Sequence, residues 1–297
     1  MSDLQTGLKQ SAVNRAAMIK KFGFIPLSII KLSRGAFHKN LFHYAGDVGI
    51  SNVRNNRIKV GRDKDKRKED AASGRVGVGN QERAGLSIMP AELVEFFIKY
   101  YSRPGAVYLD PFMGQGVQMQ VAKLMGLHYY GYDLSTEFFA YIAAVKSKID
   151  DGATTIQITH GDSCQPNAIP DGIGDFSFHS PPYWDVEYYG DEPAQLGYQN
   201  TYPEFLSGME QVARAWLPKF KPGAWHIVNV NDLRKGGKFY PYHADTITLF
   251  CRAGWELHDI WIIDGLVGGL PRAFGVDFNL KRIAPKVHEY ALVFKKP

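Results

Sequence analysis

The stretch Val107-Tyr108-Leu109-Asp110-Pro111-Phe112-Met113-Gly114-Gln115-Gly116 decides how this chain is read. Val107-Tyr108-Leu109 predicts a short buried strand. Residues 117–125 carry apolar side chains at helical spacing. The glycines between them let backbone approach a ligand closely. Strand, glycine turn and helix in that order predict an α/β unit. Asp110 supplies a carboxylate at the strand's carboxyl end, where open α/β sheets bind ligands. A second run, Ser180-Pro181-Pro182-Tyr183, follows another strand-like stretch, Phe176-Ser177-Phe178-His179; 63 residues separate Gly116 from Ser180. Consecutive prolines fix the backbone and remove two N–H donors. The carbonyls of Ser180 and Pro181 can then be aimed at a ligand, and Tyr183 adds a flat face. Acceptors beside an aromatic face suit a planar ring bearing an NH2 group.

The rest of the chain extends the α/β pattern on both sides. Upstream, Met89-Pro90 opens a helix with an apolar stripe of Leu93, Val94, Phe96, Phe97 and Tyr100. Residues 128–132 predict a second strand ending at Asp133, 17 residues after Gly116. A carboxylate there is placed to accept from two ribose hydroxyls, or to cap the helix that begins at Ser135. Residues 155–159 predict a third strand, followed by Gly161-Asp162. The 184–200 stretch is polar and aromatic, with the length of a mobile lid. Residues 201–220 predict a helix opened by a Thr201/Glu204 capping box and closed by Pro222-Gly223. Strands at 224–230, 256–263 and 289–295 and a helix at 242–253 complete the pattern, with Asn231-Asp232 ending the first of these strands. Residues 265–286 form a second loop carrying Arg272, Lys281, Arg282 and Lys286. The expectation is an α/β sandwich with a seven-stranded, mainly parallel sheet and one antiparallel edge strand.

Asp-Pro-Phe-x-Gly-x-Gly together with Ser-Pro-Pro-Tyr resembles the S-adenosylmethionine-dependent DNA amino-methyltransferases, which methylate N4 of cytosine or N6 of adenine. The resemblance runs from about residue 87 to the C-terminus. It implies a Rossmann-like class I methyltransferase sandwich and S-adenosylmethionine as cofactor. It places Met89, Pro90, Asp110, Phe112, Gly114, Gly116, Asp133 and Asp162 around the cofactor, with Asp162 at the adenine. It makes Ser180, Pro181, Pro182 and Tyr183 the catalytic tetrapeptide. Motif order varies within the family by circular permutation. The order here, with an N-terminal extension, resembles members carried by phages and mobile elements. Serine before Pro-Pro-Tyr leans toward cytosine N4 over adenine N6. Related Asn-Pro-Pro-Tyr enzymes act on RNA and protein, so an RNA amino-methyltransferase stays open, as does a non-catalytic DNA-binding protein on the same fold. A nicotinamide dehydrogenase is disfavoured, because Met119 stands where the dinucleotide fingerprint wants Gly or Ala.

Composition narrows the partners. The chain has 297 residues, 45% hydrophobic, with a net charge of +5. No apolar run approaches the ~20 residues of a membrane span, and no signal-peptide pattern opens the chain, so a cytoplasmic location in a bacterial or phage-infected cell is expected. Cys164 and Cys251 form no CxxC pair, and neither follows proline as the nucleophile of C5-cytosine methylation would. No metal site is expected.

Residues 54–68 hold eight Lys or Arg (Arg54, Arg57, Lys59, Arg62, Lys64, Lys66, Arg67 and Lys68) and two Asp, a local charge of +6 against −1 for the remainder. A concentrated basic segment on a near-neutral body fits a polyanion. Together with Arg272, Lys281 and Arg282 it is expected to contact DNA, taken as duplex. Residues 35–44 interleave aromatics with cations, and residues 73–80 read as a glycine-rich linker. The expected organisation is an N-terminal basic extension, 1–85, and a methyltransferase domain, 86–297. A homodimer and a cognate restriction nuclease are both left open.

Overall fold

The computed structural model describes residues 16–21, 28–31, 89–187, 189–264, 282 and 288–297. The eight cations at 54–68, the 35–44 and 73–80 stretches, Arg272 and Lys281 lie outside the described residues.

Fifteen described elements frame the site. They are β1 (Ile29–Lys31), α1 (Ala91–Tyr101), β2 (Val107–Asp110), α2 (Val117–Leu124), β3 (His128–Asp133), α3 (Thr136–Ile149), β4 (Ile156–His160), β5 (Gly174–His179), α4 (Tyr202–Trp216), β6 (Phe220–Val230), β7 (Leu233–Lys235), β8 (Lys238–Tyr240), α5 (Tyr242–Arg252), β9 (Glu256–Asp264) and β10 (His288–Lys295).

Eight strands form one sheet in the order β1-β9-β10-β6-β5-β2-β3-β4. All neighbours are parallel except β10, which runs antiparallel to both β6 and β9. Period-2 alternation on the inner strands buries both faces. On β10, Ala291 and Val293 join the core under α1, α2 and α3, while Leu292 and Phe294 join the core under α4 and α5. Phe97 of α1 packs on Phe178 of β5 with ring centroids 4.6 Å apart on the first side. On the other, Trp216 of α4 is fully buried and its indole N–H donates to the Ser163 carbonyl at 2.9 Å. The architecture is the expected Rossmann-like α/β sandwich.

From β2 the chain winds outward through β3 and β4. It then returns to the other side of β2 to begin β5. The winding direction therefore reverses between β2 and β5, paired at Tyr108 and Phe176. In an open α/β sheet a crevice forms at the carboxyl ends of such strands. The glycine turn leaves β2 and the Ser-Pro-Pro-Tyr run leaves β5 at this place.

Three expectations are corrected. The sheet has eight strands rather than seven, because β1 adds to β9 through Ile29–Ile262 and Lys31–Asp264 pairing. The antiparallel strand is interior, not at an edge: a strand apolar on both faces is best placed with covered faces and two paired neighbours. Pro222-Gly223 does not end the helix. α4 stops at Trp216, a 3-10 turn takes Leu217–Lys219, and the Pro-Gly pair lies on an exposed part of β6. A hairpin, β7–β8, was not expected; Gly236 and Gly237 close it with φ of 57° and 80°, which a two-residue primed turn requires.

Candidate active site

The glycine turn is pinned from several directions. Asp110 is fully buried: one carboxylate oxygen accepts from the Phe112 N–H at 3.1 Å and the other from the Tyr129 hydroxyl at 2.7 Å. Burial pushes its carboxyl up to about 7. The Ser163 hydroxyl donates to the Pro111 carbonyl. Gly114 has φ 51°, and its N–H donates to Asp133 Oδ2 at 2.8 Å. Gly116, φ 72°, is the N-cap of α2. A Cβ on Gly114 would meet no atom within 4 Å, so the turn presents bare backbone to open space.

Asp133 also accepts from the Ser135 N–H at 2.9 Å, and burial raises its carboxyl to about 6. Ser135 in turn caps α3 by accepting from Phe138 N. Its side chain thus holds the turn and the start of the following helix while lining the cavity.

A cavity of ≈ 400 Å³ sits over this turn. Of the sequence-predicted residues, Met89, Pro90, Phe112, Gly114, Asp133, Asp162, Ser180, Pro181, Pro182 and Tyr183 line it. Asp110 and Gly116 do not; they lie beneath it and shape the turn. Arg282 is described with φ 54° and is not among the lining residues. Sequence reading missed Gln115, Glu187, Asn229 and Glu289 as lining residues, and gave no role to Asn231 and Asp232, which also line it. The position of Asn231-Asp232 at a strand end was the available signal for that pair.

The tetrapeptide wall has defined polarity. Ser180 Oγ donates its proton to the Asn229 carbonyl at 3.1 Å. Its lone pairs therefore remain for a donor from the cavity. The Tyr183 N–H donates to the Tyr189 hydroxyl at 2.9 Å, and the Asn231 N–H donates to the Tyr183 hydroxyl at 3.0 Å. Tyr183 packs edge-on to Tyr242, with centroids 5.9 Å apart. Burial keeps its phenol far above the ordinary range. Behind the tetrapeptide, His179 and His226 are buried with their Nε2 atoms 2.7 Å apart. Burial lowers His179 to about 3, and burial together with the neighbouring His179 lowers His226 well below its ordinary value, so both are neutral and serve as core.

The 184–200 stretch, expected as a mobile lid, is a tied strap. The Trp184 indole N–H donates to the Gln199 carbonyl at 2.9 Å, and the Asp185 N–H to Gly197 at 2.8 Å. Glu192 Oε1 accepts from Thr136 N at 2.7 Å, fastening the strap to the N-terminus of α3. Lys235 of the β7–β8 hairpin pairs with Asp185.

Among the described residues, five carboxylates line the cavity (Asp133, Asp162, Glu187, Asp232 and Glu289) and no Lys, Arg or His does. Two buried amide oxygens of lining residues, Gln115 Oε1 and Asn229 Oδ1, have no hydrogen-bond partner. An acceptor-rich, anionic cavity suits a ligand that is cationic and rich in donors. S-adenosylmethionine, with its sulfonium, ammonium, ribose hydroxyls and adenine amino group, meets that description. Among the described residues no group of three or more His, Cys, Asp or Glu could hold a metal ion, and no helix is long and apolar enough to cross a membrane.

Comparison with known proteins agrees with this reading. Residues 52–144 match a family model described as DNA methylase. The match takes in Met89-Pro90, the glycine turn and Asp133, and ends before Ser180. Solved structures similar to this chain include TrmN from Thermus thermophilus, 16% identical over 70% of this chain and 49% of that chain, TM-score 0.46. Another Thermus thermophilus protein, provisionally assigned as a DNA modification methylase, is 24% identical over 46% of this chain and 51% of that chain, TM-score 0.35. An S-adenosylmethionine-dependent methyltransferase from Methanosarcina mazei is 12% identical over 71% of this chain and 99% of that chain, TM-score 0.45. The matched part of this chain spans about half the length of each of the first two. No curated protein matches the sequence. The matched segment and the cavity's acceptor set agree on S-adenosylmethionine as the cofactor.

Proposed function

We propose that this chain is a DNA amino-methyltransferase. It transfers a methyl group from S-adenosylmethionine to the exocyclic amine of a base turned out of the duplex, with cytosine N4 favoured over adenine N6. The observation that carries the proposal is the Ser180 hydroxyl. Its proton is committed to the Asn229 carbonyl, so the oxygen is left as an acceptor in the same cavity as the glycine turn.

The chain's own residues supply the following steps. Gly114 offers bare backbone to the cofactor, Asp110 and Asp133 hold the turn, and Asp133 and Asp162 supply acceptors. The bound cofactor supplies an electrophilic methyl group. Ser180 Oγ and the Pro181 carbonyl accept the two N–H bonds of the target amine. An exocyclic amine is a weak nucleophile because its lone pair is delocalised into the ring; two acceptors draw the nitrogen toward tetrahedral geometry and free that pair. Tyr183 stacks on the extruded base, worth about 1–3 kcal/mol against an extrusion cost of a few kcal/mol. Near-attack positioning can contribute roughly 7–11 kcal/mol. The 54–68 cations bind phosphates irrespective of sequence, which makes residues 1–85 a DNA-contacting extension to a catalytic domain over 86–297.

The deciding experiment incubates the purified chain and S-adenosylmethionine with unmethylated duplex DNA and, separately, with structured RNA, then digests each to nucleosides for mass spectrometry. N4-methylcytidine or N6-methyladenosine in its deoxy form is the expected product. Methylation of RNA alone would replace DNA by RNA as substrate. Methylation of neither, with the cofactor bound, would sink the proposal.

A further inference from the structure

Methylating a neutral amine leaves one proton too many on nitrogen, and the tetrapeptide has nowhere to put it. Ser180 Oγ is a hydroxyl already donating to Asn229, and the Pro181 carbonyl is not a base. The proton must go to another group lining the cavity. Five carboxylates are available, and their partners separate them. Asp133 accepts from Gly114 and Ser135 on the glycine-turn side. Asp162 accepts from the Cys164 N–H at 2.8 Å. Glu187 Oε2 accepts from the Tyr189 hydroxyl at 2.8 Å. Asp232 Oδ1 lies 2.5 Å from His243 Nδ1. Glu289 alone is joined to the residue that holds Ser180. Its Oε2 accepts from Asn229 Nδ2 at 2.8 Å, and Asn229's own carbonyl accepts from Ser180. Among the described residues Glu289 Oε1 has no hydrogen-bond partner.

We infer that Glu289 is a further catalytic residue: it takes the proton released from the target amine as the methyl group arrives, and Asn229 holds it beside Ser180 for that purpose. The inference rests on the proposed amine methylation. The nitrogen lone pair bonds the methyl carbon, and the carbon–sulfur bond breaks with its electron pair kept on sulfur. As the nitrogen turns tetrahedral, the N–H first held by the Pro181 carbonyl swings to Glu289 Oε1 and gives up its proton there, while Ser180 Oγ keeps the other; this leaves a neutral methylated amine and a neutral carboxyl. The carboxyl returns its proton to water once product leaves. Burial raises the Glu289 carboxyl above its ordinary value, which makes it a better base than an exposed glutamate.

The titratable groups near Glu289 are few. Tyr183, four residues beyond β5, is held neutral by burial, with the Glu289 charge adding to that effect. On β10 itself stand His288 and Tyr290, hydrogen-bonded at 3.0 Å. Asp264 of β9 lies opposite His288, and His243 of α5, paired with Asp232 beyond the end of β6, stacks on Tyr290.

The test uses the full chain with Glu289→Gln and Asn229→Ala, single-turnover methyl transfer across pH, and infrared titration of the protein's carboxyl band. Glu289→Gln should bind cofactor and a mismatched duplex as wild type does. Its single-turnover rate should fall about 10²- to 10⁴-fold, the range for a lost general base, and the acidic limb of the pH profile should vanish. The infrared band lost in Glu289→Gln should titrate, in wild type, with the midpoint of that limb. If Glu289→Gln misfolds, Asn229→Ala carries the test: removing the donor to the carboxylate should move limb and band together to higher pH. A near-wild-type rate in Glu289→Gln, or a limb that stays put in Asn229→Ala, overturns the inference while leaving amine methylation intact. No methylation by wild type overturns both.

Discussion

In the proposed reaction Ser180 and Tyr183 give one wall two tasks, and each variant should fail in its own way. Ser180→Ala removes an acceptor that matters most as the amine turns tetrahedral. It should lower the single-turnover rate more than it weakens DNA binding. Tyr183→Ala removes a stacking face and should weaken capture of the extruded base by about 5- to 150-fold, the loss of roughly 1–3 kcal/mol. A mismatch opposite the target should partly restore it, because such a base costs less to extrude. Rapid-quench methylation of matched and mismatched duplexes measures both; equal loss of rate and binding in Ser180→Ala would remove the serine from the chemistry. Asp110 gives a prediction about stability. Its carboxyl is raised from 3.8 to about 7 by burial, so the folded chain holds this proton more tightly than the unfolded chain. The associated stability is fully present below about pH 4 and is lost as pH rises through about 7. Asp110→Asn carries no such charge. Its melting temperature relative to wild type should therefore climb between pH 4 and 8, by at least about 4 °C. A gap that is flat with pH would show that Asp110 is not the buried acid described.

At the scale of elements, the glycine turn and the strap each rest on contacts that can be cut separately. Gly114→Ala puts a Cβ into open space at φ 51°, so the fold should lose only about 1–2 kcal/mol for the left-handed backbone, while cofactor affinity falls because the added carbon stands where the ligand approaches. Gly131→Ala meets Met113 Cγ and Sδ at 2.5 Å and pushes on the turn from behind, so stability and cofactor binding should fall together. Calorimetry and thermal melts on the pair separate the two effects; wild-type cofactor affinity in Gly114→Ala would take the turn out of the cofactor site. Glu192 ties the strap to α3 through the Thr136 N–H. Glu192→Ala removes an N-terminal acceptor worth about 1 kcal/mol. Amide exchange over residues 185–199 should rise in this variant while the sheet stays protected.

At the scale of the whole molecule, charge is unevenly divided. The 54–68 segment carries +6 and the remainder −1, while the described cavity is lined by carboxylates. In the proposed reaction, phosphate binding therefore falls to the first and base chemistry to the second. Neutralising Arg62, Lys64, Lys66, Arg67 and Lys68 should weaken binding to all DNA sequences alike. The slope of log affinity against log salt should flatten by about 0.9 for each duplex phosphate that is no longer neutralised. Fluorescence anisotropy across a salt series measures it, and an unchanged slope would make the segment a spectator.

Much of this protein was legible locally. The strand before Asp110, the glycine turn, α2, Asp133 at the end of β3 and the capping box of Thr201 and Glu204 all depend on residues within a few positions of each other. Propensity, spacing and turn chemistry therefore determined them. The same is true of the rigid Ser180-Pro181-Pro182-Tyr183 run, whose stiffness is covalent. What only the tertiary structure decided is non-local. Asp110 reads in sequence as a ligand at a strand end, yet Tyr129, 19 residues on, fills one of its oxygens and buries it under the turn. The strap reads as a lid because its anchors, Thr136 and Lys235, lie far away in the chain. Glu289 reads as the start of an edge strand. It comes to line the same cavity as Ser180 because β10, apolar on both faces, inserts between β6 and β9 and brings the carboxylate to Asn229, 60 residues earlier. Strand order is set by burial summed over the whole sheet, which no window of sequence contains.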